Sequence, residues 1–266
     1  MYILGSSQPF FYICIEQNRT KLLNSFRACK STQDIRIIGS IYLQRDEIHC
    51  YNDYKKTKNQ IVMSVENVLS RILEIEHGFQ HIIDGTNEIL SSNSKEQCFK
   101  YAITLLEHKA YQARMLATSI LGKLATTDKK ALYFLKEQVS IDKNWRVQEM
   151  LAKAFDEICK YKGYESSLPL IEEWINDNNP NVVRAVTEGL RIWTNRPFFK
   201  ENPLIAIALI SQHKDDKSEY LRKSVGNALK DISKKYPDLI QQEVIQWDLS
   251  NPRILFTYKL ATKILK

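Results

Sequence analysis

Basic side chains crowd the last third of this chain: Arg184, Arg191, Arg196, Arg222, Lys223, Lys230, Lys234 and Lys235. Each holds a fixed positive charge with several N–H donors, the chemistry that neutralises phosphate oxygens and releases their counterions. A formal net charge of +7 and an isoelectric point near 9.0 agree with a polyanionic partner. The same residues have a second use, as a ladder of salt bridges between structural repeats, with Glu188, Asp216 and Asp231 as the acids.

Other chemistries find little support. The five histidines are His49, His77, His81, His108 and His213, and only His77 and His81 have a helical metal spacing. That pair lacks the adjoining glutamate of a zinc-protease motif, and Gly78 follows His77 directly. Cys14, Cys29, Cys50, Cys98 and Cys159 contain no Cys-x-x-Cys pair, and their odd number fits a reduced, cytoplasmic compartment better than a disulfide framework. There is no phosphate-binding Gly-Lys loop and no Gly-rich dinucleotide fingerprint, so no metal or organic cofactor is expected. No apolar run approaches a membrane span. Met1 to Gln17 has an apolar patch at Phe10–Ile13 but neither a basic start nor a small-residue cleavage site, so it does not read as a signal peptide.

The elements that would position the basic residues are helices. With 44% hydrophobic residues, only 8 Gly and 7 Pro, the composition favours long helices over a sandwich or barrel. From about Asn59 the apolar residues recur at three- and four-residue spacing, as in Ile61, Val65, Val68, Leu69, Ile72 and Leu73. Cap and turn residues interrupt the pattern at Gly78, Ser91–Ser94, Thr126–Asp128, Lys162-Gly163, Asn178–Pro180, Glu201–Pro203 and Tyr236–Asp238. These intervals suit helix pairs joined by short loops.

Four segments align without gaps, and their shared polar column holds Arg114, Gln148, Arg184 and Arg222, separated by 34, 36 and 38 residues. The residue before each is apolar (Ala113, Val147, Val183, Leu221), and an apolar stripe follows: Met150, Leu151, Ala154 and Phe155 in one repeat, Ser224, Val225, Ala228 and Leu229 in another. An apolar-Arg pair opening the second helix of a pair, at this period, is typical of HEAT repeats, whose helix pairs bury their apolar faces only by stacking. The expected fold is therefore all-α, a right-handed solenoid of HEAT-like repeats over residues 58–266, with the polar column on or near its concave surface. Residues 1–57 form a separate N-terminal segment whose signals conflict: Asp34–Leu43 reads as a strand, and Leu22, Leu23 and Phe26 as a short helix.

Two stretches carry a family resemblance. One runs from Asn181-Val182-Val183-Arg184-Ala185-Val186-Thr187-Glu188-Gly189-Leu190-Arg191 to Arg196-Pro197, the other from Ser218-Glu219-Tyr220-Leu221-Arg222-Lys223-Ser224-Val225-Gly226-Asn227-Ala228-Leu229 through Ser233 to Pro237-Asp238. Roughly from Gln97 to Lys266 the chain resembles the bacterial DNA alkylation repair family, the HEAT-like alkylpurine DNA glycosylases AlkC and AlkD, and is nearer the C branch. The resemblance implies a monomer that cradles duplex DNA on a concave face and removes N-alkylated bases without a cofactor. Arg184 falls on the D branch's backbone-contacting arginine. Trp145 and Glu149 repeat that branch's tryptophan–acid spacing with a glutamate, although anchoring on the apolar positions puts Gln148 in the acid's column. Asn227 stands where the D branch has a second tryptophan and the C branch an asparagine. The C branch's own acid should fall near Asn144.

The implied chemistry is self-consistent. An alkylated purine such as 3-methyladenine or 7-methylguanine is cationic and leaves readily. Breaking its glycosidic bond builds positive charge on the sugar, which a fixed carboxylate stabilises while orienting water. Glu149 is the candidate acid, with Trp145 one helical turn before it as an aromatic neighbour. Arg184, Arg191, Arg222, Lys223, Asn227 and Trp193 are the candidate DNA contacts. For each there is a structural alternative: a solvated glutamate, packing tryptophans, an inter-repeat ion-pair ladder. Two other functions remain open, a family member that binds damaged or branched DNA without chemistry and a HEAT scaffold for proteins. A basic face carrying a carboxylate beside an aromatic would discriminate among them.

Overall fold

The computed structural model describes residues 65–265, so the expectations for residues 1–57 and the positions of Asn59 and Ile61 lie outside the described residues. Residues 68–266 form one compact unit. It is all-α, with no strand among the described residues.

Residues 65–73 form α1. It is followed by α2 (Gln80–Ser92), α3 (Lys95–Leu106), α4 (Tyr111–Leu124), α5 (Lys129–Glu137), a 3-10 turn (Val139–Ile141) and α6 (Trp145–Lys162). The chain continues through α7 (Leu168–Ile175), α8 (Pro180–Trp193), α9 (Pro197–Glu201), α10 (Pro203–Ser211), α11 (Glu219–Ser233), α12 (Pro237–Val244) and α13 (Pro252–Ala261). The sequence punctuation acts where expected. Ser94 and Gln97 form a reciprocal capping box at the start of α3, and Asp128 accepts from Lys130 N at 2.8 Å to open α5. Gly163 ends α6 with φ +87°, a conformation that costs glycine little.

The repeats are HEAT-like helix pairs. The second helices α4, α6, α8, α11 and α13 pack successively, each against the next, and α3, α5, α7, α10 and α12 each pack against members of that row. The column of residues before the polar position is fully buried: Ala113, Val147, Val183 and Leu221. The stripe behind it is buried as well, Met150, Leu151, Ala154 and Phe155 on α6 and Ser224, Val225, Ala228 and Leu229 on α11. Helix α4 approaches α6 so closely that a Cβ on Gly122 would lie 2.6 Å from Ala154 Cβ.

Phe155 stacks on Trp174 with centroids 4.3 Å apart, and Trp193 stacks on Phe199 at 5.8 Å. Trp193, expected among the DNA contacts, is thus a core residue. Its indole is fully buried and donates to Asp156 at 2.6 Å. Sitting at the end of α8, where sequence alone allows either environment, the ring is drawn inward by three aromatic neighbours, Phe155, Tyr164 and Phe199, and one carboxylate partner.

Candidate nucleic-acid interface

Side-chain caps fix the starts of α6, α8, α11 and α13, while α4, preceded by Ala110, has none. Asn144 accepts from Arg146 N at 2.9 Å, Asn179 from Asn181 N at 3.0 Å, Ser218 from Leu221 N at 3.3 Å and Asn251 from Arg253 N at 2.9 Å. The polar column follows within the first turn or so, and its side chains mostly turn back toward the connecting loops. Arg114 bonds Asp142 at 2.5 Å and the carbonyls of His108 and Lys109 at 3.0 and 2.8 Å. Gln148, buried, donates to the carbonyls of Val139, Ser140 and Asp142. Arg222 donates to the carbonyls of Asp216 and Lys217 at 2.6 and 3.1 Å. These three bind carbonyls of the connecting loops, so the expected surface column is largely a set of loop staples.

Arg184, which follows the short connection 176–179 between α7 and α8, departs from this pattern. Its guanidinium reaches sideways to the preceding second helix and donates to the Glu149 carboxylate, with Glu188 Oε1 at 3.5 Å on its own helix. Its carbon sits 4.6 Å from the ring centroid of Tyr220 on α11. The Arg184 side chain is 8% exposed and that of Glu149 30%. A nearly buried cation therefore holds a half-buried carboxylate at the surface, and Tyr220 closes the other side. Burial pushes the Tyr220 hydroxyl above its ordinary pKa, against the opposing pull of Arg184. One turn before Glu149, Trp145 is 52% exposed.

The ladder continues along α8 and α11. Glu188 accepts from Arg191 at 2.9 Å and from Ser224 Oγ at 2.6 Å, and Arg191 reaches Asp231 at 3.2 Å. Burial works against the Asp231 charge, but its hydrogen bond from Lys234 and the nearby Arg191 hold the carboxyl below its ordinary pKa. Asn227 accepts from Lys230 at 3.2 Å, and Lys223 is exposed with Glu219 at 2.8 Å. Asp156, the other carboxylate on α6 that could serve a site, is taken up by Tyr164 at 2.8 Å, Trp193 at 2.6 Å and Arg196 at 3.1 Å. The structure thus brings together Glu149, Arg184 and, one turn away, Trp145. Arg191 and Asn227 belong to a second cluster through Asp231 and Lys230.

Sequence reasoning passed over Tyr220, Tyr111 and Arg146. A signal existed for one of them: Tyr111 occupies the same repeat column as Trp145, three residues before Arg114 as Trp145 is before Gln148, so adjacent second helices carry rings at equivalent positions. Arg146 lies over both rings, 4.9 Å from the Tyr111 centroid and 4.7 Å from that of Trp145. Among the described residues no cluster of His, Cys, Asp and Glu could hold a metal ion, and no helix is long and apolar enough to cross a membrane.

Fold and site define a HEAT-like helical-repeat protein with an ion-paired, aromatic-flanked carboxylate on its row of second helices. Residues 82–254 match the family model of the DNA alkylation repair enzyme, and the chain belongs to that family. The crystal structure of AlkD2 from Streptococcus mutans is 48% identical, with a TM-score of 0.73 over 77% of this chain and 99% of that one. AlkC of Pseudomonas fluorescens, an alkylpurine DNA glycosylase solved bound to DNA containing an abasic site analog, is 17% identical with a TM-score of 0.57, a likeness of fold covering 79% of this chain and 62% of that one. The uncharacterised protein YhaZ of Bacillus subtilis is 31% identical over 105 residues, 38% of this chain but 29% of that relative's length.

Proposed function

We propose that this chain excises N-alkylated bases, 3-methyladenine and 7-methylguanine, from duplex DNA laid along the second helices, acting as a cytoplasmic monomer. The observation that carries this reading is the Glu149 carboxylate, fixed by buried Arg184 and open to solvent one turn from the exposed Trp145 ring. Fixing matters because a carboxylate already in place stabilises developing sugar charge without reorganising. Water closes on the anomeric carbon as the carbon–nitrogen bond breaks. The bonding electrons neutralise the departing cationic base, and Glu149 takes the water proton. Trp145 offers its face to the cationic nucleotide. Arg191, Lys223 and Asn227 border the phosphate path on α8 and α11. Arg184 and Arg222 act chiefly by holding Glu149 and the loop before α11.

One observation favours a second reading. Arg184 neutralises Glu149, and among the described residues Asp142, Asp156, Glu188 and Asp231 are also paired with cations. A family member that binds damaged or branched DNA without chemistry would tolerate that neutralisation; a glycosylase must overcome it. The deciding experiment is release of free base from methylated duplex DNA by the wild type and Glu149→Gln. Release abolished by the substitution, with DNA binding kept, establishes the excision reading. Binding without release from either protein selects the non-catalytic reading, and neither binding nor release leaves a protein scaffold.

A further inference from the structure

Six arginines are engaged by the protein itself: Arg71 with Glu88, Arg114 with Asp142, Arg184 with Glu149, Arg191 with Glu188, Arg196 with Asp156, and Arg222 with two loop carbonyls. Arg146 is held in another way. It is the second residue of α6, and its guanidinium lies over the Tyr111 and Trp145 rings. Among the described residues no carboxylate comes within ion-pair distance of it, and its one polar side-chain neighbour is His77 Nδ1, at a long 3.5 Å from Nη2. Asp142, four residues earlier, is the nearest acid before it in the sequence. Yet that carboxylate accepts instead from Arg114 at 2.5 Å and from Asn144 N at 2.7 Å.

Tyr111 is itself fixed, its hydroxyl donating to the Glu76 carbonyl at 2.7 Å. The result is a guanidinium whose carbon lies against two aromatic rings and whose N–H groups meet no strong acceptor among the described residues. A long cationic side chain normally gives up rotamer freedom when it grips an anion. Here the rings have already restricted it, so less is lost on binding. Cation–π packing at an exposed site is a modest contribution, and it does not require the nearby acid to be turned away.

We propose that Arg146 is the phosphate ligand of this face, gripping a phosphodiester of duplex DNA beside the Trp145 ring, with Tyr111 as its positioning residue. The assignment rests on the reading of this face as a DNA interface. It moves the backbone contact from the Arg184–Arg222 column to the start of α6.

The test is binding of a short undamaged duplex across a salt series by the wild type, Arg146→Ala, Arg146→Lys, Tyr111→Leu and, as a control outside the row of second helices, Lys129→Ala at the exposed start of α5, with folding checked by circular dichroism. Removing one phosphate contact lowers the slope of log K against log salt by about 0.9. Arg146→Ala shows that change with a loss of affinity of about tenfold or more, while Lys129→Ala matches the wild type. Arg146→Lys keeps the slope but binds more weakly, because an ammonium lacks the planar fork and does not stack alike. It also serves if the alanine variant fails to fold. Tyr111→Leu weakens binding at unchanged slope. A wild type that binds salt-sensitively, with Arg146→Ala and Arg146→Lys indistinguishable from it, overturns this inference and leaves the functional reading intact. A wild type that binds no duplex removes the DNA-interface reading and this inference together.

Discussion

Replacing Arg184 with methionine keeps most of the side-chain volume and removes the charge that Glu149 and Glu188 share. Breaking a buried pair by deleting one partner costs about 3–5 kcal/mol, because the remaining charge is left uncompensated. Two features place the cost here at the lower end. Glu188 keeps Arg191 at 2.9 Å and Ser224 at 2.6 Å. Glu149 is 30% exposed, so water screens part of its orphaned charge. The cation–π contact with Tyr220 is lost as well, which brings the expected total to about 3 kcal/mol. With a urea dependence of about 2 kcal/mol per molar, the unfolding midpoint falls by about 1.5 M. Adding Glu149→Gln to Arg184→Met neutralises the orphan and restores about half of the loss, a coupling that a double-mutant cycle reads directly. A midpoint that falls by less than about 0.5 M, with no recovery in the double variant, would show the pair to be an ordinary surface contact and sink the argument that Arg184 fixes the carboxylate. The same reasoning makes Arg184→Ala a poor probe of phosphate contact, since it loosens the site before any DNA arrives.

Gly122→Ala should destabilise although it sits in mid-helix. The new methyl would meet Ala154 Cβ at 2.6 Å and Cα at 2.8 Å, and overpacking of about 1–3 kcal/mol outweighs a helix-propensity gain of about 1 kcal/mol. A thermal midpoint equal to or above the wild type's would contradict this. Burial lowers the His213 pKa from 6.5 against the smaller upward pulls of the Ile175 backbone, Asp216 and Asp215, and its Nε2 has no hydrogen-bond partner among the described residues. A depressed folded-state pKa means that the unfolded chain takes up the proton first, so stability present above pH 6.5 is lost as pH falls through the folded value. His213→Gln should flatten the acid side of the stability profile measured by urea unfolding, and an unchanged slope below pH 6.5 would count against burial as the cause.

The repeat architecture was legible because it rests on strong local signals that agree with one another. Ser94, Asp128, Gly163, Asn179-Pro180 and Pro237 end or begin helices where their chemistry requires, and the apolar stripe beside the polar column is buried in each aligned repeat. The Asn251-Pro252 break carries the same signature as Asn179-Pro180 and was passed over. What periodicity could not supply was the direction of the long polar side chains. Arg114, Arg184 and Arg222 share a column, but the partners that surround each one differ. Arg114, behind residues 107–110, and Arg222 are captured by loop carbonyls, whereas Arg184, behind the equally short 176–179, crosses to Glu149 on the neighbouring second helix. Trp193 escaped for a related reason, since helical position alone does not reveal that Phe155, Tyr164, Phe199 and Asp156 converge on it from other elements. Charge that looks available in a sequence is thus largely claimed by the fold, and the informative cation is the one whose nearest acid is turned toward something else. On that criterion Arg146, with Asp142 bonded to Arg114, singles itself out where the crowded basic third of the chain does not.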